Sequence, residues 1–345
     1  MNVSTKTGTP HIPLIRANVL KGFVTFLEEI GSPTQHLLVN AKLPPSALHK
    51  TESLLPFKQV IEFYAKAAYE AGCEYFGLLV GQRTQIADLG AYGRLLCQSL
   101  TLHDAINKGI HMIPTYTSGE WYWLEEQGER VWLCRNFVHG LDAGLQHADH
   151  FSVMLSINLI RMAAGQQWRP TEVHFKTQHA PGLKSFEPLA NAKIHFEQPA
   201  TAIVFPRSLL SLPLQNKGNH QDIQRYKDYE LLHSSAPATS FSGSIRQVIA
   251  PLLREQQTDI QVAAELAGMS VRTFQRQLHD LDLTYSRLLD QVRFEQSLRL
   301  LLDPDIKLVN IASELGYTDA ANFTRAFKRW TGLSPTEFRH LRWKM

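Results

Sequence analysis

The sequence predicts an α+β domain followed by an all-α domain in which two helix-turn-helix motifs are joined by a long helix. Three observations predict it. One pattern occurs twice between Asp259 and Arg339. Before Pro114 the hydrophobic spacing is helical, whereas several stretches between Gly119 and Phe205 alternate as strands do. A polar stretch, 214–241, stands between the two regions.

The repeat gives the second domain its organisation. Its first copy holds Val262-Ala263-Ala264-Glu265-Leu266, Ser270 and Phe274-Gln275-Arg276-Gln277-Leu278; its second holds Ile311-Ala312-Ser313-Glu314-Leu315, Asp319 and Phe323-Thr324-Arg325-Ala326-Phe327. Val262 to Ile311, Ser270 to Asp319 and Phe274 to Phe323 are each separated by the same 49 residues. A repeat in register marks one supersecondary unit built twice. In each copy a first helix carries its apolar residues inward (Val262, Ala263 and Leu266; Ile311, Ala312 and Leu315). A glycine-containing turn follows, and Ser270 or Asp319 caps the second helix. Phe274 and Leu278, or Phe323 and Phe327, face inward at i and i+4. The expected motifs span about 259–280 and about 307–330.

The outward residues of the second helices are polar and mostly basic: Arg272, Thr273, Gln275 and Arg276 in one, Asn322, Thr324, Arg325, Lys328 and Arg329 in the other. Arginine pairs with guanine, and glutamine or asparagine with adenine, in the major groove. A plain helical bundle with solvated faces is the competing reading; one copy would suit it, two copies in register do not. Between the copies, Thr284 to Leu302 carries Tyr285, Leu288, Leu289, Val292, Leu298, Leu301 and Leu302 at near-helical spacing. Such a helix is roughly 28 Å long, close to the about 34 Å between successive major grooves on one DNA face. Asp303-Pro304 would end it.

Residues 242–340 resemble the DNA-binding domain of the AraC/XylS family of bacterial transcription regulators. The motifs that carry the resemblance are Leu315-Gly316-Tyr317, Asn322-Phe323-Thr324-Arg325-Ala326-Phe327-Lys328, Thr331-Gly332-Leu333-Ser334-Pro335 and Phe338-Arg339. The resemblance implies that both second helices enter major grooves, with Arg272, Gln275, Arg276, Ala321, Asn322, Thr324 and Arg325 facing bases. Thr273 and Lys328 complete the expected DNA-binding set. Ala320 and Ala321 offer no hydrogen-bonding side chain, so the second helix is expected to lean on backbone contacts and thymine methyl groups.

The 345 residues suffice for two or three domains, and 44% hydrophobic with 19% charged residues fits a globular protein. No apolar run approaches the ~20 residues of a membrane span. Met1–Pro10 lacks a signal-peptide core, so a cytoplasmic location is expected. The net charge of +3 is too small to predict nucleic-acid binding; the placement of arginines does. Cys73, Cys97 and Cys134 form no CxxC pair and read as free thiols.

Within 15–213, helices are expected from Ile15 to Ile30, over Gln35–Ala41, Pro45–His49 and Phe57–Ala71, and through 76–116 with breaks at Gly81, Gly90 and Pro114. Thr101 is a candidate cap. Gly119–Glu125 and Arg130–Val138 read as a hairpin turning at Gln127-Gly128. Its Trp121, Trp123 and Trp132 are either core or the lining of an apolar effector pocket. Ala143–Gly165 reads as a helix whose His147 and His150 have a metal-ligand spacing but no third ligand, so no metal and no cofactor is expected. Thr171–Lys176, Ala192–Phe196 and Ala202–Phe205 read as strands, with a short helix near Gly182–Leu189 and another at Asp222–Leu232 before the linker proper.

This segment also resembles the arabinose-binding-type N-terminal domain of one branch of the same family. The motifs are Leu37-Leu38, Leu43-Pro44, Phe76-Gly77-Leu78, Trp168-Arg169-Pro170, Val173-His174-Phe175 and Ile203-Val204-Phe205-Pro206. The resemblance implies effector sensing or dimerisation by residues 15–213. The expected partners are double-stranded DNA, an unknown small-molecule effector, a second copy of the chain and, for an activator, RNA polymerase. Regulation by abundance alone, without a ligand, is the alternative. An enzyme is not expected: there is no phosphate loop, no GxSxG element, and no thiolate cluster of the kind DNA-repair methyltransferases use.

Overall fold

The computed structural model describes residues 11–138, 144–178, 182–183, 186–215 and 222–342. It separates into two compact units. One is Pro13–Pro237; the other contains Ile12 and the described residues from Ala238 onward.

The first unit begins with strand β1 (Leu14–Arg16), helices α1 (Lys21–Glu29) and α2 (Thr34–Asn40), and strand β2 (Leu54–Pro56). β1 pairs antiparallel with β2, Ile15 opposite Leu55. Helices α3 (Phe57–Glu70), α4 (Phe76–Arg83), α5 (Gly90–Cys97) and α6 (Leu102–Tyr116) follow. Thr101 caps α6, accepting from the Asp104 amide at 3.2 Å. The hairpin β3 (Glu120–Gln127) and β4 (Arg130–Phe137) leads to α7 (Leu145–Ala164), β5 (Glu172–His174), β6 (Lys193–His195), β7 (Thr201–Pro206) and α8 (Asp222–Ser234). Among the described residues the larger sheet has the order β3-β4-β7-β5-β6, with only β5 and β6 parallel.

Several expectations change. Ile15 lies in β1, because its neighbours pair with β2 before the helical run starts at Lys21. Gly81 and Pro114 lie inside α4 and α6. Proline in the last turn forfeits one backbone hydrogen bond without breaking the helix. The hairpin turns at Gly128-Glu129, one residue later than the composition suggested, with Gly128 at φ 61°. Pro45–Leu48 and Glu187–Leu189 are 3₁₀ turns. Ala143 and parts of the expected Gly182–Leu189 helix lie outside the described residues, as does the tail before His11. The helix expected at Asp222–Leu232 is present as α8, and it packs on α5: Arg94 donates to both carboxylate oxygens of Asp228, at 2.9 and 2.6 Å, and Asp228 is buried. A bidentate pair of this kind fixes orientation as well as proximity.

Helices α4 and α7 approach closely, and two glycines permit it. A Cβ on Gly77 would stand 2.1 Å from the His147 carbonyl oxygen, and one on Gly81 2.6 Å from the Met154 Cβ. The two glycines are one helical turn apart and form a shallow groove for α7. The same closeness buries the start of α7, including His147, Asp149 and His150. The rings of His147 and His150 lie 6.4 Å apart, and neither Nδ1 has a hydrogen-bond partner among the described residues.

The second unit contains α9 (Phe241–Arg254), α10 (Ile260–Leu266), α11 (Val271–His279), α12 (Tyr285–Leu301), α13 (Leu308–Glu314), α14 (Ala320–Thr331) and α15 (Pro335–Arg342). α9 buries Phe241, Ile245, Val248, Ile249, Leu252 and Leu253 and packs on α10, α12 and α13. Val262 is only half-buried; Ala264 takes its expected inner place. Among the described residues no helix is long and apolar enough to cross a membrane.

Two outcomes follow for the first unit. Gly77→Ala forces a methyl group against α7 backbone, and thermal unfolding should show a loss of about 1–3 kcal/mol. Burial pushes the imidazole of His147 down to about 4 and that of His150 down to about 3. The unfolded chain takes up these protons near pH 6.5, whereas the folded chain does so only near those lower values. The contribution of these two histidines is therefore constant well above pH 6.5 and falls as pH drops from 6.5 towards 4, by at most about 1.4 kcal/mol per pH unit for each. His150→Leu should flatten that decline in melting temperature; an unchanged slope contradicts this assignment.

Candidate functional site

The C-terminal helices are positioned by caps and single aromatic anchors. Asp259 caps α10 by accepting from the Gln261 amide at 2.7 Å, Ser270 caps α11 by accepting from the Thr273 amide at 3.2 Å, and Asp319 caps α14 by accepting from the Asn322 amide at 2.7 Å. Each cap satisfies an amide that the helix itself leaves unpaired. Between the helices of each pair, Gly268 (φ 69°) and Gly316 (φ 74°) take the left-handed conformation that reverses the chain. At Gly316 a Cβ would also meet the Leu253 carbonyl of α9 at 2.7 Å.

On α11, Phe274 and Leu278 are buried, so Arg272, Gln275 and Arg276 are exposed. The side chains of these three make no hydrogen bond or ion pair with any described residue. Thr273 is half-buried, its hydroxyl 3.0 Å from that of the cap Ser270. α14 presents a different picture. Phe323, Ala326 and Phe327 are buried, while Ala321, Arg325 and Lys328 are exposed. Asn322 donates to Asp319 at 2.7 Å and to Thr318 at 3.1 Å, and accepts from Arg325 at 2.5 Å. Thr324 turns its hydroxyl back to the Ala320 carbonyl at 2.8 Å, and Arg329 pairs with Asp290 of α12 at 3.0 Å. The two helices thus share a layout but not a state: α11 holds Arg272, Gln275 and Arg276 free of partners among the described residues, while α14 holds most of its polar groups in an intramolecular chain.

The first unit contains a second feature, a cavity of about 90 Å³. Its walls are mainly apolar, with Ile15, Val60, Ile61, Leu96, Ile113 and Phe151 among them. A polar end comes from the hairpin and α7. Arg135 is buried, pairs with Glu120, and donates to the Ser152 hydroxyl and, at 3.3 Å, to Asp149. Thr201 of β7 donates to the same Asp149 oxygen at 2.8 Å. Burial pushes the Asp149 carboxyl up, with Arg135 opposing it. Burial also pushes the phenols of Tyr64, Tyr92, Tyr116 and Tyr122 up, so all four are neutral in the wall. Tyr92 donates to the Gly109 carbonyl at 3.1 Å and Tyr116 to Asn18 at 2.8 Å. Among the described residues the Tyr64 hydroxyl has no partner, although the residue is only 2% exposed. An unpaired buried hydroxyl costs about 1–3 kcal/mol.

Trp121, Trp123 and Trp132 do not line this cavity. They stand on the other face of the ribbon: Tyr122 is opposite Arg135 and both face the cavity, while Trp121 and Trp123 alternate with Tyr122 and point away. Trp121 is 39% exposed, Trp123 donates to Glu125 at 2.8 Å, and the Arg130 guanidinium lies over Trp132 at 4.8 Å. Sequence reasoning missed Tyr64, Glu120, Tyr122 and Arg135. Alternation places Glu120, Tyr122 and Arg135 on the face opposite the tryptophans, but nothing in it marks that face as the cavity wall.

Comparison with known proteins agrees with this architecture. Residues 31–214, more than half of the chain, match the arabinose-binding domain of AraC transcription regulators, and residues 263–340 match a helix-turn-helix domain. The chain is 25% identical over 332 residues to the ornithine utilization regulator of Pseudomonas aeruginosa, covering 95% of this chain and 96% of that one. It is 22% identical over 335 residues to the HTH-type transcriptional regulator VirS of Mycobacterium tuberculosis, covering 94% and 96%. Over 101 residues, 28% of this chain and 31% of the relative, it is 39% identical to the regulator VqsM of Pseudomonas aeruginosa. The crystal structure of the regulator CdpR from Pseudomonas aeruginosa aligns over 89% of this chain and 96% of that one, at 18% identity and a TM-score of 0.41. These relatives are transcriptional regulators, and neither matching family is catalytic. The chain belongs to the AraC family: it is a DNA-binding helix-turn-helix transcription regulator with an arabinose-binding-type N-terminal domain.

Proposed function

We propose that α10–α11 and α13–α14 are two helix-turn-helix motifs joined by α12, and that α11 and α14 read adjacent major grooves. The observation that carries this reading is the unpartnered set Arg272, Gln275 and Arg276 on α11, opposite the buried Phe274 and Leu278. Long polar side chains held clear of internal partners are available for base edges. At 17 residues, α12 is about 25 Å long, a spacer commensurate with one turn of DNA. On α14, Arg325 and Lys328 supply charge, Ala321 leaves room for a thymine methyl group, and the Asp319–Asn322–Arg325 chain orients the guanidinium before contact. Thr273, beside the cap, suits a phosphate contact, and Thr324, turned to its own helix, contributes shape rather than a hydrogen bond.

In the same proposal the first unit responds to a small effector in its cavity, with the apolar wall burying the body of the ligand and the Tyr64 hydroxyl meeting its polar group. By analogy with the family we also propose a cytoplasmic homodimer that activates transcription through RNA polymerase. Regulation by abundance alone is the competing reading, and the cavity with its unpaired hydroxyl favours the effector.

Arg276→Ala should weaken binding to a cognate operator by about 1–3 kcal/mol in a mobility-shift titration and relax preference at one base pair. Unchanged affinity and preference remove Arg276 from the reading surface. In a thermal-shift screen that includes ornithine, other amino acids, short fatty acids and small aromatic alcohols, an effector should raise the melting temperature of the full chain. Tyr64→Phe should remove most of that shift while leaving the unliganded protein at least as stable, because it deletes an unpaired hydroxyl.

A further inference from the structure

We propose that Glu172, His174 and His195 form a binding site for a divalent transition-metal ion of the zinc class on the face of the N-terminal sheet. Glu172 and His174 are two residues apart on β5 and so project to the same side. His195 stands on β6 directly opposite His174 in the parallel register. One ligand atom from each of the three lies within 4.8 Å of the others. Glu172 Oε1 is 2.6 Å from His174 Nε2 and 3.5 Å from His195 Nε2. Bonds of about 2.0–2.1 Å in a tetrahedral shell put neighbouring ligand atoms roughly 3.3 Å apart, so the three atoms need only small rotations to meet one ion.

The donor set is two imidazoles and a carboxylate, which suits a borderline ion such as zinc better than magnesium or calcium. Three protein ligands leave the fourth position to water. The carboxylate is already oriented from behind. Arg130 pairs with Oε2 of Glu172 and leaves Oε1 turned towards the imidazoles, while Arg130 itself is stacked on Trp132 at 4.8 Å. Such an outer partner fixes the ligand's geometry at the cost of some of its charge. All three ligands sit on strands, whose spacing the sheet fixes. They are also reachable: the side chain of His195 is 46% exposed, and those of His174 and Glu172 are 21% and 16% exposed. The competing state of the cluster is the direct hydrogen bond between His174 Nε2 and Glu172 Oε1, which a bound ion would replace.

β6 is a short edge strand that pairs only with β5 among the described residues. An ion bridging His174 and His195 would tie that edge to the sheet, and binding to the folded chain alone raises its melting temperature.

The test is calorimetric titration of the full chain, free of any affinity tag, with zinc chloride in a buffer that does not chelate, beside the variants His195→Gln, His174→Ala and Glu172→Gln. His195→Gln is the control for folding, since an exposed edge position tolerates it, and each variant is checked by its metal-free melting temperature. The site predicts one equivalent of zinc bound by the parent chain. It also predicts a loss of more than the 10- to 100-fold that outer-shell changes bring in both histidine variants. Cobalt substituted at the site should show visible bands of a nitrogen- and oxygen-ligated ion that disappear in His195→Gln. The proposal is overturned if the parent binds no zinc, or if folded His195→Gln binds it as tightly as the parent does.

Discussion

The C-terminal unit depends on a single constraint: one aromatic ring on the inner face of each second helix has to be buried. Phe274 and Phe323 are both fully buried, and Phe327 adds a second ring on α14. Phe274 packs edge-on against Phe241 and Tyr285, and Phe323 meets Tyr317 and Phe327. Removing such a ring from a core costs about 3–5 kcal/mol, a large part of a small domain's stability. With a period of 3.6 residues, burying position 274 leaves 272, 275 and 276 on the outside. The helix that carries polar groups outward is thus held by the residue that cannot face outward. The caps at Ser270 and Asp319 then set where each helix begins and hence which residues occupy the exposed end.

The N-terminal unit is governed by a different balance. It buries charge beside an apolar cavity, and a buried charge is tolerable only when it is paired. Arg135 meets that condition through Glu120, Asp149 and Ser152, drawing β3, β4 and α7 to one point, and Thr201 adds β7. The network holds the wall of the cavity rigid at its polar end. The Gly77 and Gly81 groove lets α7 come close enough to take part. The Tyr64 hydroxyl, on the cavity wall, is buried without a partner among the described residues. Polar groups that a fold leaves unpaired are where a ligand's own hydrogen bonds gain most.

Much of this was legible in the residues, for reasons that differ by element. The helices of the C-terminal unit were visible because Phe274/Leu278 and Phe323/Phe327 have strict spacing and because Asp259, Ser270 and Asp319 are strong caps. β3 and β4 were visible from alternation, yet the face was not. Tryptophan is apolar enough to read as pocket lining, and nothing local says that Glu120, Tyr122 and Arg135 form a buried polar end instead. That depends on Asp149 and Thr201, which are distant in sequence. β1 and β2 are three residues each, too short to carry a period, and exist through their mutual pairing. Nothing local marks His147 and Asp149 as buried; their burial follows from glycines on another helix. The meeting of Glu172, His174 and His195 depends on a parallel register between β5 and β6, which no residue pattern announces.

The central claim is that α11 and α14 act on DNA from one side, a helical turn apart. Methylation interference on a bound operator tests it most directly, because guanine N7 lies in the major groove. The account predicts two clusters of interfering guanines on one face, roughly 10 base pairs apart. The α11 cluster should vanish when Arg272, Gln275 and Arg276 are replaced by alanine, while the α14 cluster persists. A single cluster, or two clusters on opposite faces of the duplex, contradicts it.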